Sequence, residues 1–210
     1  MNNKQLKENT FWNSFANHYD FFIKIMFCKT YKKILFLLNS ELKSTQKILD
    51  IGTGTGIIPF SICQKVKSVV ATDISPEMIK IAKQKQVSSG IENIDFQVQD
   101  AYNLPFPDKS FDVVIAANLL HLLFEPEKPI SEAKRVLKDN GIFIAPTLCA
   151  GENFRSKAMA NISAMAGIRF VNKWSINEFE AMLKKNGLII SKSIKISGRL
   201  QLAYSVTSKR

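Results

Sequence analysis

The residues most able to do chemistry begin with Asp50-Ile51-Gly52-Thr53-Gly54-Thr55-Gly56, which follows the short apolar run Lys47-Ile48-Leu49. Glycines at a strand-to-helix turn let the backbone approach a ligand closely and adopt angles a β-carbon would oppose. Three glycines alone fit many nucleotide-binding folds. The spacing narrows them. The third glycine comes one residue too early for G-x-G-x-x-G, residue 57 is isoleucine, and no Gly-Lys-Ser/Thr follows, which excludes a P-loop. Asp50 before the turn would repel phosphates and suits a ligand with an ammonium group. Asp73 ends the next apolar run, where a carboxylate can accept hydrogen bonds from both hydroxyls of a ribose. Asp100 ends the third, where it can accept from an adenine amino group. Each aspartate alone could cap a helix or close a turn; three at the ends of three successive strands, beside a glycine turn, make coincidence much harder to sustain.

Two histidines, His18 and His121, are the candidate general bases. Each falls in a segment predicted to border the mouth of the site, although a lone histidine is often a surface or satisfied core residue. The cysteines, Cys28, Cys63 and Cys149, are odd in number and form no C-x-x-C pair. They read as buried free thiols in a reducing cytosol, with neither a disulfide framework nor a metal site.

The elements that must position these residues follow from periodicity. Residues 4 to about 43 lack glycine and proline and repeat apolar residues at three- and four-residue spacing, through Leu6, Phe11, Phe15, Tyr19 and Phe22, so they are predicted helical. Strands are predicted at 47–51, 68–73, 94–98, 111–117 and 142–145. Helices are predicted at 57–67, from Ser75-Pro76 to about Ser89 with Gly90 as the stop, and at 128–138 with Asp139-Asn140-Gly141 ending it. Such alternation gives a parallel sheet with helices on both faces. Helical stretches at about 152–166 and 175–185 precede two strands, 188–196 and 200–207, joined around Ser197-Gly198-Arg199 as a hairpin on the sheet edge.

The chain resembles the class I S-adenosylmethionine-dependent methyltransferases, of the broad group that includes the ubiquinone and menaquinone C-methyltransferases. The resemblance is carried by Ile48 to Gly56, Ala71-Thr72-Asp73-Ile74-Ser75, Gln99-Asp100-Ala101 with Leu104-Pro105-Phe106, Phe111 to Val114, and Glu132 to Gly141. Phe15-Ala16-Asn17-His18-Tyr19-Asp20 is similar to the group's lid helix. The resemblance implies a Rossmann-like, doubly wound, mostly parallel seven-stranded sheet with a C-terminal antiparallel hairpin. It implies a helical lid at 1–45 and a cofactor-binding domain at 46–210. It further implies that S-adenosylmethionine is bound and S-adenosylhomocysteine released. Gly52, Thr53 and Gly54 would pass under the methionine part and Asp50 would face its ammonium. Asp73 would hold the ribose, Ile74 and Met78 would flank the adenine, and Asp100 and Ala101 would bind its edge. Asn118 would border the methyl donor, and Tyr19 would close the pocket.

The acceptor is narrowed by what is missing. After the fourth strand the chain reads Asn118-Leu119-Leu120-His121, not the Asn/Asp-Pro-Pro-aromatic motif of amino-methylating nucleic-acid enzymes of this fold, and no cysteine stands there as a nucleophile. A small-molecule acceptor is therefore expected, and an apolar or aromatic one where the aromatic front of the chain lines its pocket. An RNA methyltransferase, favoured only by the net charge of +11, is the alternative, with a protein that binds the cofactor without turnover as a third reading. The aromatic front of Phe11, Trp12, Phe15, Phe21, Phe22 and Phe27 either packs the helices or lines an acceptor pocket. The first ten residues show no signal peptide, and Lys24, Lys29, Lys32 and Lys33 interrupt the stretch 21–38 that comes nearest to a membrane span, so a cytoplasmic protein is expected.

Overall fold

The structure, a computed structural model, describes residues 3–165 and 167–210, with side chains from 9–164 and 167–210. Seven strands form one sheet in the order β3-β2-β1-β4-β5-β7-β6. These are β1 (Lys47–Ile51), β2 (Ser68–Asp73), β3 (Ile94–Val98), β4 (Phe111–Ile115), β5 (Leu137–Leu148), β6 (Leu188–Ile196) and β7 (Leu202–Lys209). The first five are parallel, and β7 runs antiparallel to both neighbours, β5 and β6. The predicted doubly wound, mostly parallel seven-stranded sheet with a C-terminal antiparallel hairpin is therefore present, and β7 lies inside the sheet with β6 at the edge.

Alternation along each strand sorts the core into two layers. Ile48, Val113 and Ile144 face a layer built with α2 (Cys28–Glu41), α3 (Ile57–Ile62) and α4 (Pro76–Ser89). Leu49, Val114 and Phe143 face the opposite layer, built with α5 (Glu127–Val136) and α7 (Ile176–Lys185). The remaining helices are α1 (Asn3–Met26), which packs on α4, and α6 (Phe154–Met165). Ala166, the predicted end of α6, and the side chain of Leu6 lie outside the described residues.

Three predicted elements differ from the structure. The single helix over 4–43 is two helices, because Phe27 leaves helical geometry (φ −131°, ψ 14°) and buries its ring against Phe22 at 5.8 Å. Burial of an aromatic ring there outweighs helical continuity, and the fold-back brings α2 beside the site. The helix predicted over 57–67 ends at Ile62 and tightens into a 3₁₀ turn, Cys63–Lys65. Asp139-Asn140-Gly141 is not a helix stop but part of β5. Ion pairs Lys138–Asp112 and Lys109–Asp139, each 2.7 Å, tie this segment across to β4 and its approach. Gly141 is needed there because a β-carbon would come within 2.8 Å of the Asp112 carbonyl.

Candidate functional site

Because β1 to β4 are parallel, their carboxyl ends open on one edge, where ligands of such sheets bind. A groove there encloses about 810 Å³ of space, part of it open to solvent. Its walls include Gly52, Gly54, Asp73, Ile74, Met78, Asp100, Ala101 and Asn118, with Tyr19 of α1 above them. Nine of the predicted site residues thus meet in one cavity.

The glycine turn and Asp73 are one unit. One Asp73 carboxylate oxygen accepts from the Gly54 N–H at 2.8 Å and the other from the Ser75 N–H at 2.9 Å. Burial raises the carboxyl's pKa, and these hydrogen bonds pull it back down. The Ile74 N–H adds to them, and since a carboxylate offers about four acceptor sites, capacity remains for a ligand's hydroxyl. Gly54 has φ +56°, and a β-carbon there would stand 3.2 Å from the Tyr19 ring. Ser75 caps α4 by accepting from the Met78 N–H, with Pro76 at the first helical position. That cap presents Ile74 and Met78 to the groove. Asp100 takes the Tyr102 N–H at 2.9 Å on one carboxylate oxygen, closing a short turn that sets Ala101 in the wall.

Asp50 and Thr53 stand elsewhere. Asp50 is 1% exposed and lies beneath the turn, accepting from the Thr53 hydroxyl at 2.6 Å; neither residue lines the groove. Burial pushes the Asp50 carboxyl up to about 7, opposed by the Thr53 hydrogen bond. The Asp50 carboxylate, expected to face a ligand ammonium, is thus placed beneath the turn and outside the groove's wall.

Asn118 sits past β4 in the left-handed region, φ +53°, a conformation asparagine tolerates better than most residues. Its backbone N–H reaches the Pro146 carbonyl at 2.7 Å. Its side-chain amide donates to the Tyr31 hydroxyl at 3.4 Å, which lies 3.3 Å from the Tyr19 hydroxyl. The Asn118 Oδ1 is buried without a partner. This chain separates the groove from a second cavity of about 480 Å³. The two cavities share Trp12, Tyr19, Asn118 and Leu122. The second, also partly open to solvent, is walled by Phe22, Phe27, Leu148, Ile168 and Phe170, and no charged side chain lines it among the described residues.

His121 lines this chamber, stacked on Phe170 with ring centroids 4.7 Å apart. It is buried, its Nδ1 has no partner, and desolvation pulls its pKa down to about 3, so the imidazole is neutral at ordinary pH. His18 is exposed and lines neither cavity, which removes it as a base candidate; one residue along a helix turns a side chain by about 100°. Of the aromatic front, Trp12, Phe22 and Phe27 line the chamber, Phe11 and Phe15 pack against the core, and Phe21 faces solvent. Sequence reasoning missed Tyr31, Gln99, Tyr102 and Phe170. The seven-residue spacing from Trp12 to Tyr19 signals one helix face, but nothing local marks Tyr31 or Phe170.

Helix α1 is fastened over the groove at two points. Asn13 Oδ1 accepts from the Ser75 hydroxyl at 2.6 Å. Asp20 accepts from the Thr55 hydroxyl and pairs with Lys85, which also donates to the Thr55 carbonyl at 3.1 Å.

These features fit S-adenosylmethionine. The Gly54 turn leaves no room for a side chain, Asp73 and Asp100 keep free acceptor capacity in the groove, and Asn118 carries an unpaired buried oxygen.

A family model described as a methyltransferase domain matches residues 42–187. The methyltransferase YcgJ of Bacillus subtilis is 29% identical over 155 residues, covering 73% of this chain and 61% of that protein. The ubiquinone/menaquinone biosynthesis C-methyltransferase UbiE of Rickettsia bellii is 33% identical over 153 residues, covering 68% and 61%. The matched segments thus span about three-fifths of these relatives' length. The crystal structure of YcgJ has the same fold, with a TM-score of 0.74 at 22% identity over 85% of this chain and 99% of that one. The PH0226 protein of Pyrococcus horikoshii OT3 gives a TM-score of 0.72 at 24% identity over 92% and 99%. With the family model covering more than half of the chain and the motif-bearing turns inside that match, this protein belongs to the methyltransferase-domain family, the class I S-adenosylmethionine-dependent enzymes.

Proposed function

We propose that this protein transfers a methyl group from S-adenosylmethionine to a small, uncharged, apolar acceptor that carries an aromatic ring. The uncharged aromatic chamber beside the groove carries this reading. A polyanion such as RNA would find no cation within it. The UbiE relatives, named as C-methyltransferases of ubiquinone and menaquinone biosynthesis, favour the same acceptor class.

In this reading residues 1–45 act as the lid and 46–210 as the cofactor domain. Asp73 holds the ribose, Asp100 and Ala101 the adenine edge, and Ile74 and Met78 its faces. Gly52 and Gly54 admit the methionine part. The bound cofactor supplies a methyl already activated on a sulfonium, so the protein's work is alignment and exclusion of water. Trp12 and Tyr19 roof the junction of the two cavities, and Asn118 and Leu122 floor it. His121 enters neutral and orients an acceptor hydroxyl by hydrogen bonding.

The test is methyl transfer from labelled S-adenosylmethionine to hydroxyarenes and quinol precursors, with RNA in parallel. Calorimetry with S-adenosylmethionine, S-adenosylhomocysteine and NAD measures the cofactor step separately. Transfer to the apolar arenes supports the proposal. Transfer to RNA alone overturns the acceptor assignment. Cofactor binding without transfer to any member supports a binding protein. No cofactor binding by folded protein overturns the whole reading.

A further inference from the structure

The exposed apolar side chains of this molecule are unevenly placed. Phe21 and Ile25 on α1 are 68% and 53% exposed, Phe36 on α2 is 67%, and Phe154 and Ile162 on α6 are 85% and 59%. Helices α1, α2 and α6 each contribute a wall residue to the apolar chamber, through Phe22, Tyr31 and Ser163. The three helices that wall the chamber thus also carry five of the large apolar side chains exposed to water. Large apolar side chains grouped in water mark an interaction surface.

Charge on the same elements is unbalanced. Asp20 of α1 is paired with Lys85, Glu41 at the end of α2 with Lys192, and Glu152 just before α6 with Lys195. These three acids, among the described residues, are thus neutralised by lysines of the sheet domain. Lys24, Lys29, Lys32, Lys33 and Arg155 have no carboxylate partner among the described residues. Lys33 instead stands over the Phe36 ring, 5.1 Å from its centroid. Lysine 29, 32 and 33 with Phe36 fall at helical spacing, and all four are exposed.

We propose that α1, α2 and α6 form a docking face for the anionic surface of a phospholipid bilayer. The cations meet the headgroups, and Phe21, Ile25, Phe154 and Ile162 enter the boundary below them, the division of labour of interfacial helices. No helix among the described residues is long and apolar enough to cross a membrane, so the contact is peripheral. Nucleic acid would use the same cations and could stack on the exposed phenylalanines, but Ile25 and Ile162 add apolar area that base stacking does not use. The chamber lies behind this face, so a lipid-soluble acceptor would pass into it without crossing water. That last use rests on the proposed function; the lipid contact does not.

The experiment is flotation of the full chain with vesicles of phosphatidylcholine alone and with about one-third phosphatidylglycerol, at rising salt. Binding to the anionic vesicles only, weakening with salt, is expected. Lys32→Ala with Lys33→Ala should lower the partition about twenty-fivefold, from about fivefold per lysine. Phe21→Ser with Ile25→Ser should remove the part that salt leaves. Thermal melts confirm that each variant is folded. No binding of folded wild type to anionic vesicles overturns the proposal, and so does equal binding to both vesicle types. RNA binding lost in the lysine variant, with no vesicle binding, reassigns the face to nucleic acid. Vesicle binding without S-adenosylmethionine binding keeps the docking face while sinking the methyltransferase reading.

Discussion

Asp73 accepts a hydrogen bond from the Gly54 N–H at 2.8 Å, which locks the acid at the end of β2 to the turn after β1. A carboxylate held this way cannot swing to meet its ligand and needs no reorganisation to bind it. Replacing it affects both halves of the site. Asp73→Ala is expected to weaken S-adenosylmethionine about a hundredfold or more, since hydrogen bonds to a charged group contribute about 1.5–3 kcal/mol each. Calorimetry would read this, and an affinity within threefold of wild type would refute the ribose assignment.

Gly54→Ala meets two obstacles, a φ of +56° and the Tyr19 ring. The backbone alone should cost about 1–2 kcal/mol, and thermal melting would read it. Adding Tyr19→Ala should relieve the ring clash and leave the backbone cost. If Gly54→Ala melts with wild type, the turn is not held as described.

The pH dependence of stability separates two buried groups that act in opposite directions. His121 has a folded pKa near 3, below its ordinary value, so folding binds fewer protons than the unfolded chain does. Its contribution is fully present above about pH 6.5 and is lost as pH falls toward 3. Asp50, raised to about 7, does the reverse, and its contribution is lost as pH rises from about 4 to about 7. Denaturant titrations of His121→Gln against wild type should show the stability difference shifting by about 1.4 kcal/mol per pH unit between about 4 and 6.5. Asp50→Asn should shift it with the opposite sign. A flat difference for His121→Gln would mean that the imidazole is protonated in the fold.

Tyr31 joins the lid residue Tyr19 to Asn118 through its hydroxyl. Tyr31→Phe removes both hydrogen bonds and keeps the ring in the chamber wall. A fall in kcat of about two- to tenfold is expected, the scale of one ordinary hydrogen bond, with S-adenosylmethionine affinity unchanged. Loss of cofactor affinity in place of kcat would assign the chain to the groove and not to the acceptor side.

Much of the groove was legible because its parts are local. A glycine turn after a strand, Asp73 before a capped helix and Asp100 before a turn each declare themselves within a few residues. The parallel part of the sheet followed from alternation and the antiparallel end from two successive strands, though not the place of β7 inside β6. What escaped depends on distant parts of the chain. Tyr31 reaches the site only because Phe27 breaks the helix and folds α2 back. Asp50 and Asp73 look alike in sequence, yet one ends under the turn with Thr53 and the other beside it with Gly54. His18 and Tyr19 are neighbours about 100° apart around α1, and the packing of that helix on α4 leaves the first in solvent and the second over the groove. Gly141 reads as a helix stop until the Asp112 carbonyl is seen against it.

The position of β7 between β5 and β6 makes two strands depend on one. β6 precedes β7 in the chain, yet among the described strands it pairs only with β7. Without residues 202–209 the long edge of β5 would be unpaired, and β6 would keep only its packing on α7 and its ion pairs to Glu41 and Glu152. An open strand edge of this kind invites pairing with other chains. β7 therefore guards the molecule against misassembly as well as completing its sheet.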